Sequence, residues 1–126
     1  MSTNDDVTIE IGSFTARTSS DGRAVRLVMT GEADAAALAH FDDLFHRVHR
    51  KALDLGAKEV VVDIKTLMFM NASCIAKVVT WVNRVRDTEA ASRYGIRFLS
   101  NQEFLWQHRS LHALRCFAVD LLTIDA

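Results

Sequence analysis

Residues 60–75, VVVDIKTLMFMNASCI, constrain this chain more than any other stretch. VVVDI is β-branched and apolar, the composition of a strand covered on both faces. Asn71 has the short polar side chain that caps a helix, and apolar residues at helical spacing begin just after it. The chain therefore passes here from a buried strand, through a turn, into a helix.

With 126 residues, of which 49% are hydrophobic, the chain has the size of one domain and enough apolar material for a real core. We expect a single domain over residues 1–126, with 1–6 as a flexible tail. Lys and Arg number 15 and Asp and Glu 16, interspersed, for a net charge of −1. That balance gives no general attraction to nucleic acid or to an anionic membrane. No apolar run approaches the roughly 20 residues needed to span a bilayer, and MSTNDDVTIE has neither the basic start nor the apolar run of a signal peptide. Cys74 and Cys116 are too few for a disulfide framework. We read them as reduced thiols in a cytoplasmic protein.

Alternation of Val7, Ile9 and Ile11, continued by Phe14 and Ala16, predicts one strand over 7–17 with a bulge at Gly12. Asp21-Gly22 marks a hairpin turn, and Val25, Leu27 and Met29 mark the return strand over 24–30. Asp34 is placed to cap a helix whose stripe runs through Leu38, Phe41, Leu44, Phe45, Val48, Ala52 and Leu55, with Gly56 as its stop. A strand over 59–64 follows, then a helix over 72–88 burying Ile75, Val78, Val79, Val82 and Val85. Residues 96–99 form a fourth strand. A third helix over 102–116 is capped by Ser100 or Asn101, and residues 117–124 supply a fifth strand. The order β-β-α-β-α-β-α-β predicts an α/β fold, a mixed central sheet of about five strands with helices packed mainly on one face.

Three elements carry a resemblance to a known family. Gly31-Glu32-Ala33-Asp34 leads from the second strand to the first helix, Asp63 ends an apolar strand, and Phe69-Met70-Asn71-Ala72-Ser73-Cys74 opens the next helix. Together with the element order, they resemble the STAS domain, the family of the anti-sigma factor antagonists, across residues 7–124. The usual family pattern has Phe-hydrophobic-Asp-Ser-Ser/Thr-Gly-Leu at the third element. The phosphorylated serine follows the motif Asp, so its position falls on Ala72, which has no hydroxyl. Asn71 keeps the capping oxygen of that Asp without its charge, and Cys74 replaces the Gly. Ser73 matches the second hydroxyl position. Its ordinary reading is a first-turn helix residue, and its sharper one is an alternative phosphoacceptor.

The resemblance implies a non-enzymatic protein-binding module, and a cytoplasmic one. Its surface would comprise Asp63, Asn71, Ala72, Ser73 and Cys74, and its partner would be a kinase-like anti-sigma factor of the histidine-kinase-like ATPase type. The alternatives are an accessory subunit docked on the ATPase of an ABC (lipid) transporter, or a sensor holding a small anion or nucleotide at the N-terminus of the motif helix. None of these calls for a cofactor.

Other candidate chemistry is thin. His46 and His49, and His108 and His112, have spacings that bring imidazoles together, but neither pair has a Cys or carboxylate complement. We read His46 and His49 as solvated rim residues and expect no metal. No G-x-S-x-G, P-loop, G-x-G-x-x-G or C-x-x-C pattern is present, so catalysis has no motif behind it. Cys74 at a helix start is either a redox-sensitive thiol or simply packed. Trp81 falls off the apolar stripe of its helix. Of Phe104, Leu105 and Trp106, one must be exposed or at an interface, and with the strand edges this leaves a homodimer open.

Overall fold

The computed structural model describes residues 6–125. Most of the expected tail, residues 1–5, lies outside them. Asp6 is tied down, its carboxylate meeting the ammonium of the buried Lys51.

The first expected strand is two strands. β1 (Thr8–Ile11) turns at Gly12-Ser13 and pairs antiparallel with β2 (Phe14–Asp21), Ile11 opposite Phe14. Gly12 stands at φ +59°, in the left-handed region that a tight hairpin loop needs and glycine supplies. Among the described residues the sheet therefore has six strands rather than five. The Asp21-Gly22 turn forms as expected and leads into β3 (Ala24–Ala33), with Asp21 opposite Ala24.

Asp34 caps as its chemistry predicts, its carboxylate accepting from the amides of Ala36 and Ala37. The helix it starts is one turn long, α1 (Ala35–Leu38). After Ala39 and His40 the chain restarts as α2 (Phe41–Leu55), which ends on left-handed Gly56. Then come β4 (Glu59–Met70), α3 (Ala72–Arg86), β5 (Gly95–Leu99), α4 (Leu105–Phe117) and β6 (Leu122–Asp125). Ser100 and Asn101 do not cap α4. Asn101 instead closes a turn, its Oδ1 accepting from the Glu103 amide.

The sheet order follows the chain, β1-β2-β3-β4-β5-β6, antiparallel through β3 and parallel from β3 onward. Each crossover moves one strand in the same direction. Since such crossovers are right-handed, all helices fall on one face. One core results. Val25, Leu27 and Met29 of β3, Val60, Val62 and Ile64 of β4, and Ile96 and Phe98 of β5 point into it. β4 is thus covered on one face only, with Val61 and Asp63 half-buried on the open side. That open face carries ion pairs across neighbouring strands, Arg26 with Asp63 and Arg97 with both Glu59 and Asp125.

β4 outruns its expected end by six residues, and the reason is a pair of bulges. Val28 is opposite Asp63 but Thr30 is opposite Thr66. Gly31 is opposite Leu67 but Glu32 is opposite Phe69. Each shift places an extra residue on β4, which re-aims the side chains that follow. The buried positions therefore change from every second residue (Val60, Val62, Ile64) to every third (Ile64, Leu67, Met70).

Candidate functional site

The end of β4 is held by β3 on one side and by side chains on the other. β5 stops pairing at Leu99, opposite Asp63, so carbonyls of β4 beyond that point need other donors. Gln107, completely buried on α4, donates its amide to the carbonyls of Ile64 (2.6 Å) and Leu67 (3.0 Å). Its own Oε1 accepts from the Asn101 amide. Asn101 donates to the Lys65 carbonyl (3.0 Å), and the Trp106 indole donates to that of Leu67 (3.2 Å). Asn101 of the β5–α4 connection and Trp106 and Gln107 of the first turn of α4 thus replace a missing strand. Gln107 carries no motif, but its spacing to Leu111 and Leu114 puts it on the buried stripe of α4.

This support holds Met68 and Phe69 outward, 51% and 44% exposed. They lead directly into Asn71, whose amide donates to the Ala33 carbonyl at the end of β3 (3.0 Å). Asn71 Oδ1 accepts from the Cys74 amide (2.9 Å), the expected N-cap bond of α3. Ala72 and Ser73 are exposed on the first turn. Cys74 is not part of that surface. Its side chain is fully buried and points toward the Asp34 carbonyl. Burial, and then the Asp34 carboxylate, push the thiol's pKa up. This is the packed cysteine, not the redox-sensitive one.

Asp63 lies seven residues before Met70 on the open sheet face, apart from the loop. It accepts from the Arg26 guanidinium (2.9 Å) and, through Oδ1, from the Lys65 amide (3.1 Å). It thus fastens the first bulge, from which the extension to Met68 and Phe69 starts. Leu105, 61% exposed, is the outward member of Phe104-Leu105-Trp106, while Trp106 is half-buried.

Two further residues depart from the sequence reading. Trp81 is buried on α3, stacked on Phe45 at 4.9 Å between ring centroids, and its indole donates to the Tyr94 hydroxyl (2.9 Å). His49 is buried too, not at a rim, with Nδ1 2.7 Å from the same hydroxyl. An amphipathic-stripe reading ranks both as polar or peripheral. It misses a buried partner, Tyr94, that satisfies them from another element.

Among the described residues, no cluster of three or more His, Cys, Asp or Glu could hold a metal ion, and no helix is long and apolar enough to cross a membrane. Beneath α3, a crevice lined by Met29, Ile75 and Leu111 has about 20 Å³, roughly the room of a water molecule.

No family model matches this chain, and no curated protein matches it in sequence. Solved structures do match it. SiaC of Pseudomonas aeruginosa gives a TM-score of 0.67 at 17% identity, over 96% of this chain and 98% of that one. A chain of the crystal structure of diguanylate cyclase SiaD in complex with its activator SiaC, from the same organism, gives 0.67 at 17%, over 94% and 98%. The anti-sigma factor antagonist SpoIIAA in its unphosphorylated form gives 0.59 at 14%, over 88% of each chain. These likenesses are of fold, and with the strand order and the capped α3 they identify the architecture of this chain as STAS-like.

Proposed function

We propose that this chain is a non-enzymatic regulatory module that binds a protein partner through Met68, Phe69 and the 71–73 loop at the start of α3. One observation carries the reading. Two large apolar side chains stand exposed on a segment that Gln107, Asn101 and Trp106 hold in place. Exposing them has a cost in water, and presenting them rigidly lowers the entropy lost on binding. Asp63 serves this surface from a distance, as the anchor of the bulge. The partner is a kinase-like anti-sigma factor, which the chain sequesters as an antagonist. Ala72 removes the usual phosphorylation switch, so the module either acts constitutively or is switched at Ser73, the exposed hydroxyl beside it.

A second reading has its own support. SiaC, the activator of a diguanylate cyclase, matches over almost its whole length. Its likeness favours a cyclase as partner in place of an anti-sigma factor. Tagged chain drawn from lysate of its own organism separates these, with captured proteins identified by mass spectrometry. A histidine-kinase-like ATPase supports the first reading and a diguanylate cyclase the second. An ABC ATPase subunit would move the chain to a transport-accessory role. In each case Phe69→Asp is expected to lose the partner while the protein stays folded. Retained capture would remove the loop from the interface.

A further inference from the structure

Neighbouring helices on one face of a sheet ordinarily pack together, yet here one gap stays open. α3 packs more closely against α1 and α2 than against α4, which it meets through Val78, Leu111 and Leu114 at the core. The space between them is an apolar groove lined by Ile75 and Val79 on α3 and by Ala113, Leu114 and Phe117 on α4. Ile75 and Val79 are one helical turn apart, and so is Leu114 from Phe117, so the lining repeats at the spacing of a helix side. Phe117 is 40% exposed.

The charge around this groove is one-sided. Neither α3 nor α4 contains an Asp or Glu, whereas together they carry Lys77, Arg84, Arg86, Arg109 and Arg115. The whole chain has a net charge of −1, so this excess is local. Lys77 is answered by Asp42 of α2. The two cations at the groove itself are not answered by carboxylates among the described residues. Arg109 lines it, and Arg86 lies across its far end, 4.5 Å over the Phe117 ring, bonded only to neutral oxygens of Asn83 and Phe117.

We infer that the groove between α3 and α4 seats an amphipathic helix of a partner protein, its apolar stripe flanked by Asp or Glu. An apolar trough between two helices fits a third helix by the same packing that joins helices in a core. The unanswered guanidiniums select the sign of its flanks and speed its approach. The inference rests on the proposed protein-binding role and adds what the partner presents. Ile75 stands one turn from the Asn71 cap, so one partner can span loop and groove.

The test uses the full chain and two labelled synthetic peptides, read by fluorescence anisotropy. Both carry the same leucine stripe, one flanked by Glu and the other by Lys. The Glu peptide is expected to bind about tenfold or more tightly than the Lys peptide at low salt, the gap closing as salt screens it. Arg109→Glu, at an exposed position, is expected to abolish that preference, and Val79→Asp to abolish binding of both peptides, with circular dichroism unchanged. Equal binding of the two peptides, or no binding of the Glu peptide, overturns the inference. So does tighter association with phosphatidylserine vesicles than with the Glu peptide, which would make the face a membrane surface. A chain that captures its partner through Phe69 yet ignores the Glu peptide overturns the groove and leaves the loop reading standing.

Discussion

The hydroxyl of Tyr94, in the connection before β5, ties α2 and α3 together through two hydrogen bonds. The Trp81 indole can only donate, so the Tyr94 oxygen accepts from it, and when Nδ1 of His49 is unprotonated the Tyr94 hydroxyl donates to that nitrogen. That arrangement needs a neutral imidazole. Burial, then the charges of Arg84 and His46, hold the His49 pKa below its ordinary value, in the same direction. Tyr94→Phe strands a buried indole N–H and a buried ring nitrogen, at a cost of about 1–3 kcal/mol in chemical denaturation. The pH dependence follows from the lowered pKa. Unfolded chain takes the His49 proton near the ordinary value of about 6.5, and folded chain only at lower pH. Stability from this group is therefore complete above about pH 6.5 and is lost as pH falls through the folded value. The thermal midpoint should drop between pH 7.5 and 5.5, at about one unit either side of that value, and drop less in His49→Leu. An equal drop in both would show that other groups dominate.

Elements, in turn, depend on backbone positions that side-chain patterns do not display. Gly31 of β3 stands at φ +86°, and a Cβ there would lie 1.8 Å from the Ser13 carbonyl oxygen in the β1–β2 turn. Gly31→Ala should cost more than about 2 kcal/mol, since both the left-handed backbone and the collision with main chain oppose it. Denaturation that matched wild type would mean the turn moves aside freely. Such positions explain what was legible in the sequence. The Asp21-Gly22 hairpin, the caps Asp34 and Asn71, the Gly56 stop and the alternation of strands and helices from β4 onward were local, and each is written in neighbouring residues. The β1–β2 turn reads as a bulge because the apolar pattern of Val7 to Ala16 continues across it. The break between α1 and α2 carries no Gly or Pro. The 64–70 extension was hidden because its two bulges replace alternation by a period of three. Its stabilising partner, Gln107, lies some forty residues away, so no window along the chain brings them together. For the candidate site, the 69–74 motif was visible, but the inward turn of Cys74 and the distance of Asp63 required the fold.

At the scale of the molecule, the sheet divides surface by task. The helix-covered side carries the groove beside α3, and the exposed Met68–Phe69 segment leads from the end of β4 into that helix. The other side is a lattice of ion pairs over half-buried Val61 and Leu99. Exposed ion pairs contribute little to stability because water and salt already screen them. Their better-founded role here is to keep an open sheet face wetted, so that it does not attract another apolar surface. Arg97 is the hub, reaching Glu59 at 2.9 Å and Asp125 at 2.7 Å, and those bonds raise its pKa. Arg97→Gln is therefore expected to leave the captured partner and the thermal midpoint nearly unchanged, while Phe69→Asp loses the partner at the same midpoint. The comparison runs in one capture experiment on the two variants and wild type. If Arg97→Gln were the variant that lost the partner, the interface would lie on the sheet, and the loop at α3 would be only the end of a strand.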